Sequence, residues 1–219
     1  HAHAQRLALM LQNQTEEEFA DSRFQVLSEL TRLRQLCCDP ALVYENYEGG
    51  SAKLDLCIEL IQSAVESGHK ILLFSQFTSM IEILTARLQE ESISCFVLQG
   101  STKKEQRAQM VEQFNRDDTS VFCISLKAGG TGLNLTGADI VIHYDPWWNV
   151  AAQNQATDRA YRIGQTKGVQ VFSLIAAGTI EERIVLLQEE KKALSDGVLL
   201  GEDSLFTVDA AALREILKA

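Results

Sequence analysis

The chain has 219 residues, 46% of them hydrophobic, which suffices for one sizeable core and argues against a disordered or fibrous protein. Its formal net charge of −10 excludes a protein that coats nucleic acid by bulk charge, although a few well-placed lysines and backbone amides can still hold a phosphate track on an acidic body. No apolar stretch approaches the roughly 18 residues that a membrane span needs, and the opening "HAHAQR" lacks the apolar core of an export signal.

In chain order, Glu16 to Cys37 carries Phe24, Val26, Leu27, Leu30, Leu33 and Leu36 at helical spacing, and Pro40 stops it. Cys37 and Cys38 read as small hydrophobes on that helix. With Cys57, Cys95 and Cys123 they make an odd count, without a CxxC pair or a histidine at metal spacing, so no metal site is expected and a reducing compartment fits. After the "EGGS" hinge at Glu48 to Ser51, Lys53 to Ser67 repeats the helical pattern.

Five short apolar runs follow: Ile71 to Ser75, Cys95 to Gln99, Val121 to Ser125, Ile140 to Tyr144 and Val169 to Ile175. Each is rich in Val, Ile and Phe, as strands covered on both faces are. Helix-like segments separate or follow them at Ser79 to Gln89, Lys103 to Asn115, Ala151 to Tyr161 and Thr179 to Ala193, the last opened by a capping box of Thr179 and Glu182. Such alternation predicts an α/β protein with a parallel, doubly wound sheet. The chain then divides into a helical lead-in (1–50), a sheet-bearing lobe (51–195) and a C-terminal brace segment (196–219), in which Asp209 to Leu217 reads as a short helix.

The richest stretch is "SLKAGGTGLNLTGADIVIHYDPWWN", Ser125 to Asn149. Gly129, Gly130 and Gly132 let the backbone approach a ligand closely and offer amides to an anion, but a tight turn that binds nothing explains them as well. A Rossmann dinucleotide site fits poorly. The pattern is GGTG rather than GxGxxG, Leu126 to Asp139 leaves little room for a crossover helix, and Asp145 is followed by Pro146 and two tryptophans. Further on, Asn149 to Ala160 reads as a helix with Gly164 as its C′ residue, so Arg159 and Arg162 share a face. Two arginines there either favour the negative helix end and pair with an acid such as Asp158, or serve a site beside the glycine loop.

Together, "ILLFSQF" (71–77), "LQGST" (98–102), the glycine stretch (125–149) and "QATDRAYRIGQ" (155–165) resemble, in order, the motifs of the second RecA-like lobe of Swi/Snf-type superfamily-two ATPases, over about Leu30 to Ala193. The resemblance implies a RecA-like three-layer domain, a mainly parallel sheet flanked by helices, with N- and C-terminal helical extensions. In that family ATP lies between two lobes, and the first lobe supplies the lysine loop and the acidic box that holds magnesium. Neither GxxxxGK[ST] nor DExH occurs in this sequence.

By the same resemblance, Arg159 and Arg162 are arginine fingers reaching ATP on the N-terminal RecA-like lobe of the same polypeptide. Such a finger is worth about 10³ to 10⁵ in rate, roughly 4 to 7 kcal/mol, whereas an exposed ion pair gives about 0 to 1. Gly130 and Gly132 allow close approach to the nucleotide, Asn134 contacts the ribose or the cleft, and Gln155 ties the arginine motif to the cleft. Ser75, Gln76, Gly100, Ser101, Thr102 and Lys127 touch the backbone of double-stranded DNA, while Trp147 and Trp148 either couple the two sites or belong to the core. Lys103, Lys104 and Arg107 either extend the DNA track or form a solvated helix face. The sequence departs from the family pattern at Tyr161, Val150 and Asp39, where histidine, proline and histidine are common. The implied function is the second motor lobe of a DNA translocase or remodelling ATPase, inactive by itself and working in the cytoplasm or nucleoid of a bacterium, or in a nucleus. Alternatives are a non-catalytic module that binds nucleic acid or protein, and the dinucleotide enzyme.

Overall fold

All five apolar runs are strands of one sheet in the computed structural model, which describes residues 2–12, 16–125, 128, 133–147, 149–161, 165 and 167–196. They are β1 (Ile71–Ser75), β2 (Cys95–Leu98), β3 (Val121–Ser125), β4 (Ile140–His143) and β5 (Gln170–Ser173). Their order is β2-β3-β1-β4-β5 and every neighbouring pair is parallel, with Ile71 in register with both Val121 and Ile140. Helices are α1 (Ala2–Gln12), α2 (Glu16–Cys38), α3 (Ala52–Glu66), α4 (Thr78–Glu90), α5 (Lys104–Arg116), α6 (Val150–Thr157) and α7 (Ile180–Asp196). The chain forms two units, Gly49–Ile175 and a second made of His1–Glu48 with Ala176–Ala219.

In the first unit the parallel ladder needs cover on both faces, and the sequence provides it: every residue of β1, β3 and β4 is buried. On one face Leu72, Phe74, Phe122, Ile124 and Val141 join Phe114 of α5 and Ala156 of α6 in a single core. Elsewhere α4 packs on β1, β2 and β3 and against α3, burying Met80, Ile81, Leu84 and Leu88. Each fully buried Leu, Ile, Phe or Met contributes about 1.5 to 3 kcal/mol before chain entropy is counted. Ser51 caps α3 through Leu54 N (3.3 Å) and Asn149 caps α6 through Ala152 N (3.2 Å).

One expected helix is shorter than its sequence pattern. α6 ends at Thr157, and the chain tightens into i→i−3 bonds from Arg159 N to Ala156 O (3.1 Å) and from Ala160 N to Thr157 O (3.0 Å). A long-range contact then holds the tightened turn, where Leu135 N–H takes the Arg159 carbonyl (3.1 Å). Arg159 therefore stands beyond the helix rather than on the helical face expected for it. Arg162 and Gly164 lie outside the described residues, as do the brace segment and its expected helix at Asp209 to Leu217.

In the second unit, Val26, Leu30 and Leu33 are buried along α2 as the spacing predicts, but Phe24 is 87% exposed. Asp39 finds a local role: its carboxylate caps the 3-10 turn Pro40–Leu42 by accepting from Ala41 N (2.8 Å). The capping box of α7 is offset by one residue. Thr179 Oγ1 accepts from Glu181 N (3.2 Å), while Glu182 reaches back to Gly178 N (3.0 Å).

A buried histidine gives the first unit an acid-sensitive core. His143 is fully buried at the end of β4, stacked on Phe74 (5.5 Å) and set edge-on to Trp147 (5.6 Å), with Nε2 2.9 Å from Thr157 Oγ1. Burial pushes its pKa down from 6.5 to about 4. The folded state keeps the ring neutral where the unfolded chain protonates it, so this contribution is complete above pH 6.5 and is lost as pH falls through about 4. The full loss is on the order of 3 kcal/mol. We expect thermal melts of the wild type to weaken steeply over that window. His143→Gln should be less stable at pH 7 but flatter below it, and an unchanged acid slope in that variant would refute the assignment.

Candidate nucleotide and nucleic-acid site

In a parallel sheet all strand C-termini share one edge, where ligands of open α/β folds gather. At this edge β1 and β4 are latched together by Asp145, which is 1% exposed. Its carboxylate accepts from Ser75 Oγ (2.6 Å) and from Gln76 N (3.2 Å to Oδ1, 3.4 Å to Oδ2). Ser75 Oγ in turn accepts from Phe77 N (3.2 Å), and Gln76 Nε2 donates to Pro146 O (2.7 Å). Ser75 has no exposed surface and Gln76 is half-buried, so the hydroxyl expected at a DNA phosphate is spent holding the strand ends together.

The turn after β2 is open. Gly100 and Ser101 are exposed and Thr102 is half-buried, its hydroxyl accepting from Gln99 N (3.1 Å). Arg107, expected either on the DNA track or on a solvated face, instead clamps this turn. Its Nε donates to Thr102 O (2.8 Å) and its Nη2 to Gly100 O (3.0 Å) and Gln99 O (3.3 Å). Lys103 and Lys104 are exposed where α5 begins.

The exit of the glycine loop lies toward the opposite edge, where β4 starts. Asn134 is exposed there, between buried Leu133 and Leu135. Three side-chain and main-chain ties fix this segment. Leu135 N binds Arg159 O (3.1 Å), Gln165 Nε2 donates to Ala138 O (2.7 Å), Thr136 O (3.2 Å) and Ala160 O (3.3 Å), and Asn115 donates from Nδ2 to Asn134 O (2.8 Å) while its Oδ1 accepts from Gly137 N (2.9 Å). Buried Ala156 and Ala160 pack in the same core as Leu133, Leu135 and Ala138. The arginine segment and the glycine-loop exit are thus one piece of structure, as their adjacency on the sheet predicts. Within that piece Arg159 is only 2% exposed, and Gln155 is exposed on α6. Trp147 is core, 2% exposed and edge-on to Phe74 (6.3 Å). Gly130, Gly132, Lys127, Trp148 and Arg162 lie outside the described residues.

Two supports had no sequence signal. Asp139, with its side chain 3% exposed, receives His69 Nδ1 (3.0 Å), Lys70 N (3.1 Å) and Lys167 Nζ (3.0 Å). Burial alone raises its pKa, but the hydrogen bonds from His69, Lys167 and Lys70 N–H outweigh that and hold it below the usual carboxylate range. Asn115 is the other, and its partners stand 19 and 22 residues away in sequence. Among the described residues, no group of three or more His, Cys, Asp or Glu is placed to hold a metal ion.

Fold and motifs define a helicase C-terminal type of domain. Residues 52–164 match the family model of the helicase conserved C-terminal domain, and the chain belongs to that family. It is 42% identical over 189 residues to an uncharacterized ATP-dependent helicase of Mycoplasma pneumoniae, covering 84% of this chain and 18% of that protein. The putative ATP-dependent helicase/translocase YwqA of Bacillus subtilis is 42% identical over 198 residues, 87% of this chain and 21% of that protein. This chain therefore spans about a fifth of those relatives. Among solved structures, the Sulfolobus solfataricus SWI2/SNF2 ATPase core in complex with dsDNA superposes with a TM-score of 0.78 at 33% identity, covering 99% of this chain and 46% of that one. The C-terminal domain of the same ATPase gives 0.75 at 29% identity, covering 99% and 90%. This is the second RecA-like lobe of a Swi/Snf-type ATPase.

The Asp145 latch is testable on stability. Asp145→Ala leaves the buried Ser75 hydroxyl and the Gln76 amide without their acceptor, and should cost about 2 to 4 kcal/mol in urea unfolding. Ser101→Ala, on the exposed turn, should stay within about 0.5 kcal/mol.

Proposed function

We propose that this chain is the second motor lobe of an ATP-dependent double-stranded-DNA translocase or remodelling ATPase, completing a nucleotide site whose phosphate-binding half lies on the N-terminal RecA-like lobe of the same polypeptide. The observation that carries this is the joining of the arginine segment to the glycine-loop exit through Leu135, Arg159 O and Gln165, beside an exposed Asn134. The names of the relatives, ATP-dependent helicases and a translocase, and the DNA-bound structural neighbour support it.

When bound, ATP with magnesium supplies the transferable phosphoryl group, and the magnesium belongs to the first lobe. This chain's part is to bind and to orient. Asn134 and Gln155 offer exposed amides to the nucleotide and the cleft, Gly130 and Gly132 permit close approach, and Arg162 serves as the finger whose planar guanidinium lysine cannot replace. Arg159, 2% exposed, meets a phosphate only if its segment shifts when the lobes close. Until then it supports that segment from inside.

On the DNA side, Gly100, Ser101 and Thr102 present small groups to one strand's phosphates, Gln76 and Lys127 are further candidates for that contact, and the grip is blind to sequence. Closing and opening of the lobes would move that grip along the strand, and the compartment of action is the one that holds duplex DNA. Alone, the lobe hydrolyses no ATP, because the lysine loop and acidic box are supplied elsewhere.

In the two-lobed parent protein, Arg162→Ala should cut DNA-stimulated phosphate release by at least about 100-fold. A loss within about threefold would sink the assignment of Arg162 as the finger. DNA affinity should fall with salt at a log-log slope of about −2 to −3, as for two or three neutralised phosphates. A much steeper slope would reveal a larger basic face than these residues make.

A further inference from the structure

Helix α5 touches both halves of the proposed motor. At its start Arg107 gathers the carbonyls of Gln99, Gly100 and Thr102, the turn that faces DNA in the proposed function. At its end Asn115 holds the exit of the glycine loop through two bonds, Nδ2 to Asn134 O (2.8 Å) and Gly137 N to Oδ1 (2.9 Å). The donor and acceptor ends of one side-chain amide thus bind peptide groups on either side of Leu135 and Thr136.

The fit at that end is close. A Cβ on Gly137 would lie 3.0 Å from Asn115 Oδ1 and 3.1 Å from its Cα, so only glycine lets the loop approach the helix this closely. Lys70 Nζ fixes the same helix end, donating to Phe114 O and to Asp117 O (2.7 Å) and resting 4.4 Å from the centre of the Phe114 ring. Eight residues separate Arg107 from Asn115, about 12 Å of continuous helix. A helix pinned in this way cannot tilt or slide at one end without displacing the loop at the other.

We propose that Asn115 is a positioning residue that couples the DNA-facing turn to the nucleotide-facing loop, with α5 as the rigid connector and the Asn134 peptide as its output. It touches neither ligand. It sets where Asn134 stands when the turn at Gly100 is occupied. The inference rests on the reading of the chain as a DNA-dependent motor lobe, and it adds the route between the two sites.

The test uses the two-lobed parent protein, with duplex DNA and ATP as probes. Asn115→Ala should lower the ratio of DNA-stimulated to DNA-free turnover by about tenfold, a coupling effect of ordinary size, while DNA affinity stays within about twofold. Asn115→Asp keeps the acceptor for Gly137 N–H but sets a carboxylate oxygen against Asn134 O in place of the donor; where the alanine variant fails to fold, this variant should show at least a partial loss of the ratio. Combined with Arg107→Ala, Asn115→Ala should add little, because both act through one helix. If folded Asn115→Ala or Asn115→Asp lowers both turnovers by the same factor, or neither, the residue is merely structural and the inference is overturned while the motor reading stands. If the wild-type parent shows no DNA stimulation at all, the motor reading itself fails and the coupling falls with it.

Discussion

The constraint on which the structure depends is the burial of three strands on both faces. β1, β3 and β4 have no water-facing side, so helices must cover the sheet above and below, and every strand must leave the core at the same edge. That geometry alone brings Gln76, the Gly100 turn and Asp145 into one region although they are spread over some seventy residues. The Asp145 carboxylate then locks the two most central exits, β1 and β4, into a fixed relation. A buried carboxylate is a costly device unless it is fully hydrogen-bonded, and here a hydroxyl and a main-chain amide satisfy it.

Asn134 and the Arg159 segment stand toward the other edge, where β4 starts. In the proposed function this sets the DNA-facing turn apart from the nucleotide-facing segment, and the connection has to be made by elements that run from edge to edge. α4 does so between β1 and β2; α5 and the α6–arginine stretch are two more that do. Their ends are fixed by side-chain amides, Asn115 and Gln165, that bind main-chain groups in pairs or threes. Amides suit this task because they carry a donor and an acceptor without the desolvation cost of a charge.

Much of this could be read from sequence because the relevant signals are local. Continuous Val, Ile and Phe runs mark all five strands to within two residues of their ends, but the expected cover on both faces holds only for β1, β3 and β4; β2 is half-buried and β5 mostly exposed. The glycine and hydroxyl loops announce themselves through residue types that few other conformations require. What could not be read are features set by partners far away in the chain. Phe24 fits the helical stripe yet points outward, since spacing gives a face but not what lies opposite. The α6 pattern continues through Tyr161, but the helix ends at Thr157 and the Arg159 carbonyl turns to Leu135 N–H instead. Asn115 and Asp139 look like ordinary polar residues at element ends, and Ser75 looks like a free hydroxyl until Asp145 arrives from 70 residues downstream.

β5 bears on how the lobe behaves in a test tube. Its side chains alternate poorly with the core, three of its four residues are exposed, and among the described residues it ladders with β4 alone. Among the described residues, no strand pairs with the far rim of the sheet. Its four-residue length gives an intruding strand few rungs to grip, so the rim tempers self-association by brevity rather than by charge.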